Sequence, residues 1–336
     1  MKGKKFLLSL GLALGIIFLF AVGYIQYNLQ TIQQKAVDFV ISENESLHLV
    51  AAKLEKLGVI RSADLFIRYL SFKKLDTTIK AGDYHLEPVQ NLQQLISHLQ
   101  KGQDKLVEYT IPEDYRIQQI AKKLAKQGLV SEERFIELAT KKGASFSFAY
   151  ADQIKDGNLE GFLFPNTYLI ANPTEEKVIE QMLGEFEKEV TKDMLQNISK
   201  TKLTLHQIIT LASVIEKEAQ LASEQAIISS VFYNRLAIDM PLQSCATVEF
   251  ALYQQGIFKD SYVLSLEELK TDSPYNTYQN QGLPPGPICN PGIGAIKAAL
   301  NPAKTDYYYF AAKGDGSHAF GRNLDEHNRN VEKYIQ

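Results

Sequence analysis

The sequence predicts an α+β protein made of a single N-terminal transmembrane helix, a small α+β unit and a larger mixed α+β domain. Three observations lead there: an unbroken apolar run near the N-terminus, a strand–turn–helix pattern that occurs twice, and a C-terminal half in which stripes of helical period give way to a hairpin. The chain has 336 residues, 45% hydrophobic and 22% charged, enough for two or three cores and too apolar for a disordered chain. With 36 Lys and Arg against 39 Asp and Glu, the net charge of −3 offers nothing to a nucleic-acid backbone, and no nucleic-acid partner is expected. Cys245 and Cys289 can make one bridge at most and lack the spacing of a zinc or redox pair.

Residues 1–5 are predicted as a cytoplasmic tail and residues 6–25, FLLSLGLALGIIFLFAVGYI, as the transmembrane helix. No charge appears before Lys35, so the run is long enough to cross a bilayer. Lys2, Lys4 and Lys5 precede it and no basic cluster follows, which keeps the N-terminus in the cytoplasm and exports the rest. The expected location is the cytoplasmic (inner) membrane, single-pass, with the large domain periplasmic or extracellular. A cleaved signal peptide with Ala21 and Gly23 near its cut site is the rival, but the apolar run exceeds the ~7 to 15 residues of such a segment. Without the three lysines the exported part carries −3 − 3 = −6, so attachment to the membrane is assigned to the span.

The exported chain is predicted to comprise a membrane-proximal domain over 26–105, a second small α+β repeat unit or connector over 106–145, and the large domain over 146–336. ISENESLHLVAAKLEKLGVI, from Ile41, and IPEDYRIQQIAKKLAKQGLV, from Ile111, align at an offset of 70 residues, with Glu43 on Glu113, Lys53-Leu54 on Lys123-Leu124 and Gly58 on Gly128. Each copy reads as a short strand, a turn and an amphipathic helix closed by a glycine that can take the left-handed conformation. The first copy continues with a helix through 66–70, a strand over 81–86 and a helix over 92–99. Such a unit either binds a partner or spaces the rest from the membrane.

Farther on, LEGFLFPNTY over 159–168 sets aromatics around Gly and Pro, as a buried turn or as the wall of a cleft. Ile179, Met182, Leu183, Phe186 and Val190 recur as a core-facing helical stripe. Thr204 and Gln207 have the capping-box form and start a helix with Ile208, Ala212, Ile215 and Ala219 on one face. Glu216 and Glu218 end that helix about 200° apart, so only one of them can enter a given pocket. Helical geometry does not choose between them, and two solvated carboxylates beside Lys217 are the plain alternative. From Tyr275-Asn276-Thr277-Tyr278 to Asn290-Pro291-Gly292 runs a long loop rich in Pro and Gly, whose tyrosines suit the flat C–H face and hydroxyl rim of a sugar; a proline-pinned structural lid is the alternative. Pro291 in a first-turn position then starts a helix to Leu300, and 306–312 with 317–320 form a hairpin that carries His318.

LEGFLFPNTY, LASVIEKEA, FYNRL at 232–236, LQS followed by TV within 242–248, YNTY, GLPPGPI and HNRNV from His327 stand in this order behind the apolar run. In this the chain resembles the YceG-like, MltG-type family of endolytic murein transglycosylases. The resemblance implies a LysM-like domain at 26–105 and a catalytic domain at 146–336. It further implies cleavage of the bond between N-acetylmuramic acid and N-acetylglucosamine in nascent glycan strands, leaving 1,6-anhydro ends and terminating elongation. One carboxyl group serves both proton transfers in that chemistry, and an apolar pocket that raises its pKa keeps it protonated for the first. The second glutamate of the Glu-Lys-Glu triplet, Glu218, is the one the resemblance selects. Gln243, Tyr275, Asn276, Thr277, Tyr278, Asn234 and His318 are the expected substrate contacts, with His318 alternatively a hairpin residue satisfied by backbone. The implied partners are peptidoglycan strands and the peptidoglycan synthases of elongation or division. No cofactor is expected, and no metal, since the histidines are scattered. Ala219 replaces a family hydroxyl, Asn166 an aspartate, and Cys245-Ala246 an Asp-Pro pair, so no second catalytic carboxylate is available at position 166. A peptidoglycan-binding scaffold without activity and a hydrolytic muramidase are the competing functions.

Overall fold

The computed structural model describes residues 37–86, 91–102, 106–258 and 264–335, together with 19, 20, 22–24 and 27. The expected span over 6–25 lies mostly outside the described residues; among those described, no helix is long and apolar enough to cross a membrane. The chain divides into two compact units, Met1–Val107 and Glu108–Gln336. Of residues 106–145, read from the sequence as a second small α+β repeat unit or connector, all from Glu108 onward fall in the second unit.

In the first unit, strand β1 (Val37–Ile41) pairs antiparallel with β2 (Gly82–Leu86) and sets Phe39 opposite Tyr84, their rings stacked at 5.1 Å. Helices α1 (Leu47–Lys56), α2 (Ala63–Phe72) and α3 (Leu92–Lys101) start where Ser46, Ser62 and Asn91 accept a backbone N–H of the first turn. Their apolar faces, including Leu54, Phe66, Leu70, Leu95 and Leu99, close one core with the strands.

The second unit opens with β3 (Leu106–Thr110), which pairs with β4 (Thr167–Ala171), and with helices α4 (Ile117–Lys126) and α5 (Glu132–Lys141). The repeat seen in sequence is a repeated helical hairpin. Gly58 and Gly128 follow α1 and α4 at φ +70° and +72°, and the next amides, of Val59 and Leu129, close onto Leu54 and Leu124 carbonyls in the same way. Along α6 (Glu175–Glu189), Ile179, Met182, Leu183 and Phe186 are buried, with Val190 just beyond; Phe148, Phe162 and Phe164 surround the Phe186 ring.

Helix α7 (Leu205–Glu218) is the axis of this unit. Its capping box is formed, Thr204 Oγ accepting from Gln207 N–H and Gln207 Oε1 from Thr204 N–H, and ten of its residues are buried, three of them the polar His206, Thr210 and Ser213. Around it stand α8 (Gln225–Leu236), α9 (Cys245–Gln254) and α10 (Ile293–Leu300). Strands β5 (Tyr309–Ala312) and β6 (His318–Gly321) form the hairpin, and α11 (Leu324–Tyr334) ends the fold. Strand β5 starts later than expected because the Tyr307 and Tyr308 carbonyls accept from Asn234 and Arg235 of α8. Pro291 lies outside the first turn of α10: Gly292 is the extended N-cap, and its N–H donates to Glu216.

LEGFLFPNTY is a buried turn. Gly161 takes φ +91°, and a Cβ there would stand 2.5 Å from Pro287 Cγ and 2.8 Å from Ile209 Cγ2, so the turn lies directly on the proline loop and on α7. Asn290 welds the contact. Its Oδ1 accepts from the Gly161 and Leu163 amides at 2.9 Å, and its Nδ2 donates to Tyr115 O at 2.9 Å and to Glu160 Oε1 at 2.8 Å.

Candidate active site

The last turn of α7 sends its two glutamates in opposite directions. Glu218 opens onto a cavity of about 330 Å³, also lined by Arg235, Gln243, Cys245, Tyr278 and Tyr309. Ser244 Oγ donates to Glu218 Oε1 at 2.5 Å. Ser244 is the N-cap of α9 but makes no side-chain cap bond there, so the Glu218 carboxyl occupies the place of a capping group at that helix N-terminus. Burial pushes the Glu218 carboxyl above the usual range; the Ser244 hydroxyl, the His318 and Arg235 charges and the Ala246 N–H pull against it. Its position as the final residue of α7, at the negative helix end, acts in the same direction as burial. Both protonation states therefore have support: burial favours the acid, and the donors and cations receive the carboxylate.

Arg235 is a fixed cation in the wall. Its Nε donates to Tyr308 O at 2.6 Å, its guanidinium also donates to the Pro241 and Leu242 carbonyls and to Gln243 Oε1, and it lies over the Tyr309 ring at 5.1 Å. Tyr309 stacks on His327, which also lines the cavity and whose Nδ1 is buried with no hydrogen-bond partner among the described residues. Burial holds the His327 imidazole below its ordinary pKa, so the ring is neutral at pH 7.

Glu216 meets the opposite environment. Its Oε2 accepts from Gly292 N–H at 3.2 Å, and Glu113 and Asp114 lie close by. Burial, with the Glu113 charge adding to it, raises its pKa to about 7. Glu216 does not line the cavity of Glu218.

Of the expected contacts, Gln243 and Tyr278 line the cavity. Gln243 holds φ +50° and its amide donates to Thr277 O. Thr277 is fully buried, its Oγ1 shared between Ser244 N–H and Thr247 Oγ1. Asn276 is fully buried too, its amide spent on the Leu269 and Thr271 carbonyls. These two build the loop and do not reach the cavity. Tyr275 packs at a tilt against Phe250, ring centres 4.8 Å apart, and does not line the Glu218 cavity. Asn234 is one residue from Arg235 but about 100° around α8; it donates to the Thr305 and Tyr307 carbonyls and lines a different cavity. His318 is buried, its Nδ1 2.7 Å from Glu224 Oε2 and its N–H also on that carboxylate, so it stands behind the wall. Sequence reasoning quoted but did not assign Arg235 in FYNRL, Ser244 in LQS and His327 in HNRNV; the pairing of a buried-type position with a charged or hydroxyl residue was the available signal. Cys245 is free at the cavity, 3.2 Å from Tyr278 Oη, and Cys289 is free and buried. Among the described residues no group of three or more His, Cys, Asp or Glu is placed to hold a metal ion.

The profile of the YceG-like family matches residues 39–333. The chain belongs to the YceG-like family. Proteins similar to it include the endolytic murein transglycosylase of Bacillus subtilis, 36% identical over 89% of this chain and 85% of that protein. The endolytic murein transglycosylase of Streptococcus pneumoniae is 33% identical over 90% of this chain but only 59% of its own length. Among solved structures, that of a putative yceG-like protein from Listeria monocytogenes shares 34% identity and superimposes with a TM-score of 0.59, covering 88% of this chain and 99% of that one. The YceG-like assignment spans both compact units.

Proposed function

We propose that the protein is a peptidoglycan lytic transglycosylase that cuts the N-acetylmuramic acid–N-acetylglucosamine bond and leaves 1,6-anhydro ends. The carrying observation is that Glu218 is the one carboxylic acid among the residues lining its cavity. Hydrolases of glycosidic bonds use a pair of carboxyls, whereas the anhydro-forming reaction needs one. Glu218, protonated through burial, donates to the glycosidic oxygen as the bond to C1 of the muramyl unit breaks. The resulting carboxylate, received by Ser244, Arg235 and the α9 N-terminus, then takes the proton of the C6 hydroxyl as that oxygen closes on C1. Tyr278 offers its ring to the sugars, and the Gln243 amide and neutral His327 offer polar contacts.

The kinship with proteins named endolytic murein transglycosylases supports mid-strand cutting, ending strand growth. We infer further an inner-membrane anchor at residues 6–25, with Leu19, Phe20 and Tyr24 exposed, a LysM-like unit at 26–105, and peptidoglycan synthases as neighbours. Digestion of uncrosslinked glycan, followed by mass analysis of the ends, is the test. Anhydro-muramyl ends support the proposal; reducing ends mark a hydrolase, binding without fragments marks a scaffold, and either result overturns it.

A further inference from the structure

A second cavity of the same unit lies at the far end of α9. It measures about 370 Å³ and is lined by Gln118, Asn158, Glu160, Phe250, Tyr253 and Gln254, with Thr140. Three features set it apart from a packing defect. Gln118 Oε1 is buried there without a hydrogen-bond partner among the described residues, and a buried orphan acceptor is costly unless something donates to it. Glu160 is 4% exposed and yet borders the cavity; Oε1 receives Asn290, while the Ile117 amide is shared 3.2 Å from both oxygens, leaving acceptor capacity at Oε2. The Phe250 and Tyr253 rings are braced by the Arg116 guanidinium at 5.3 and 4.9 Å. Flat apolar faces among amide and carboxylate groups are the surroundings that suit a sugar ring.

Two elements join this cavity to that of Glu218. Cys245, Glu249 and Tyr253 stand at i, i+4 and i+8 on one ridge of α9; Cys245 lines the first cavity, Tyr253 the second, and Glu249 is half-buried between them. Eight residues of helix put the two about 12 Å apart along the ridge. The YNTY loop runs the same way, with Tyr278 in the first cavity and Tyr275 tilted against Phe250, which lines the second.

We propose that the second cavity is a distal saccharide subsite, holding one N-acetylhexosamine unit of the glycan strand that Glu218 cuts. The proposal rests on the transglycosylase reading. The acetamide N–H of the sugar meets Gln118 Oε1, a ring hydroxyl donates to Glu160, Gln254 supplies a donor, and the C–H face lies on Tyr253. The volume, near the lower end for ligand pockets, suits a single unit. Such a subsite anchors the strand at a distance from the scissile bond, which favours cutting inside long strands.

The test uses the full-length Glu218→Gln protein, which keeps the strand uncut, titrated with stem-free glycan oligosaccharides of increasing length. Affinity should rise tenfold or more, in one step, at the length that bridges the ~12 Å between cavities. Gln118→Leu and Tyr253→Ala in the same background should remove the step. Gln118→Leu keeps the side-chain shape and deletes an unpaired oxygen, so it guards against a folding artefact. No step, a step only on stem-bearing glycan, a step that survives both substitutions, or no binding at any length overturns the subsite. Product analysis of the wild-type protein tests the transglycosylase reading separately.

Discussion

The two sides of the last turn of α7 carry the same residue type under opposite local rules. On the Glu216 side, burial and the neighbouring Glu113 and Asp114 all favour the neutral acid, with the Gly292 N–H and Lys217 opposing them. On the Glu218 side, burial works against Ser244, His318, Ala246 and Arg235. A raised pKa alone therefore does not mark an acid that turns over. What separates the two is a cavity and a ready set of partners for the charge once the proton has left. Glu216 holds the N-cap Gly292; Glu218 faces an open cavity.

The largest expected effect breaks this contrast outright. Glu218→Gln should lower glycan cleavage by about 10²–10⁴-fold, with the circular dichroism spectrum unchanged, because an amide neither donates an acidic proton nor takes one back. Full activity in that variant would transfer the role elsewhere. Ser244→Ala should come next. The hydroxyl lowers the Glu218 pKa, so its removal raises it, and the alkaline limb of kcat/KM should move to higher pH, read from a pH–rate profile. A shift downward, or none, would contradict the placement of that hydrogen bond.

Glu216→Gln sharpens the contrast from the other side. The folded pKa of about 7 lies above the ordinary 4.5, so between these values the unfolded chain ionises while the folded one keeps its proton. The stability present below pH 4.5 is thus lost as pH rises through about 7. Glutamine, which can still accept from Gly292, should raise the melting temperature at pH 8 by several degrees, leave it unchanged at pH 4, and keep cleavage near wild type. The smallest effect concerns the thiols. Native protein should titrate one thiol with a disulfide reagent, slowly because burial raises the Cys245 pKa, and a second, Cys289, only after denaturation.

Local grammar made much of the fold legible. The Thr204–Gln207 box, the α6 stripe and the paired stops at Gly58 and Gly128 depend on neighbours within a few residues, and the sequence displays those neighbours. The choice between Glu216 and Glu218 depends on Ser244, Tyr278, Tyr309 and Arg235, which reach the site through tertiary packing; only the likeness to a family selected it. Asn276, Thr277 and Asn234 stand away from the Glu218 cavity for one reason. A polar side chain in a loop or on a helix reads as free to bind, whereas each of these is consumed by backbone or hydroxyl groups that an irregular segment leaves unpaired. The split of YNTY, with Tyr275 against Phe250 and Tyr278 in the Glu218 cavity, has no signature in a four-residue string.

Asn290 ties its loop to partners 127 to 175 residues earlier in the chain. Closing so wide a circuit is entropically expensive and slow beside the nearby coiling of helices. The loop that carries Tyr278 is fastened by that circuit, so a freshly made molecule should acquire its helices first and its cutting ability last. On refolding, glycan cleavage should lag the far-ultraviolet signal, giving the cell an interval in which the protein is present yet harmless to the wall.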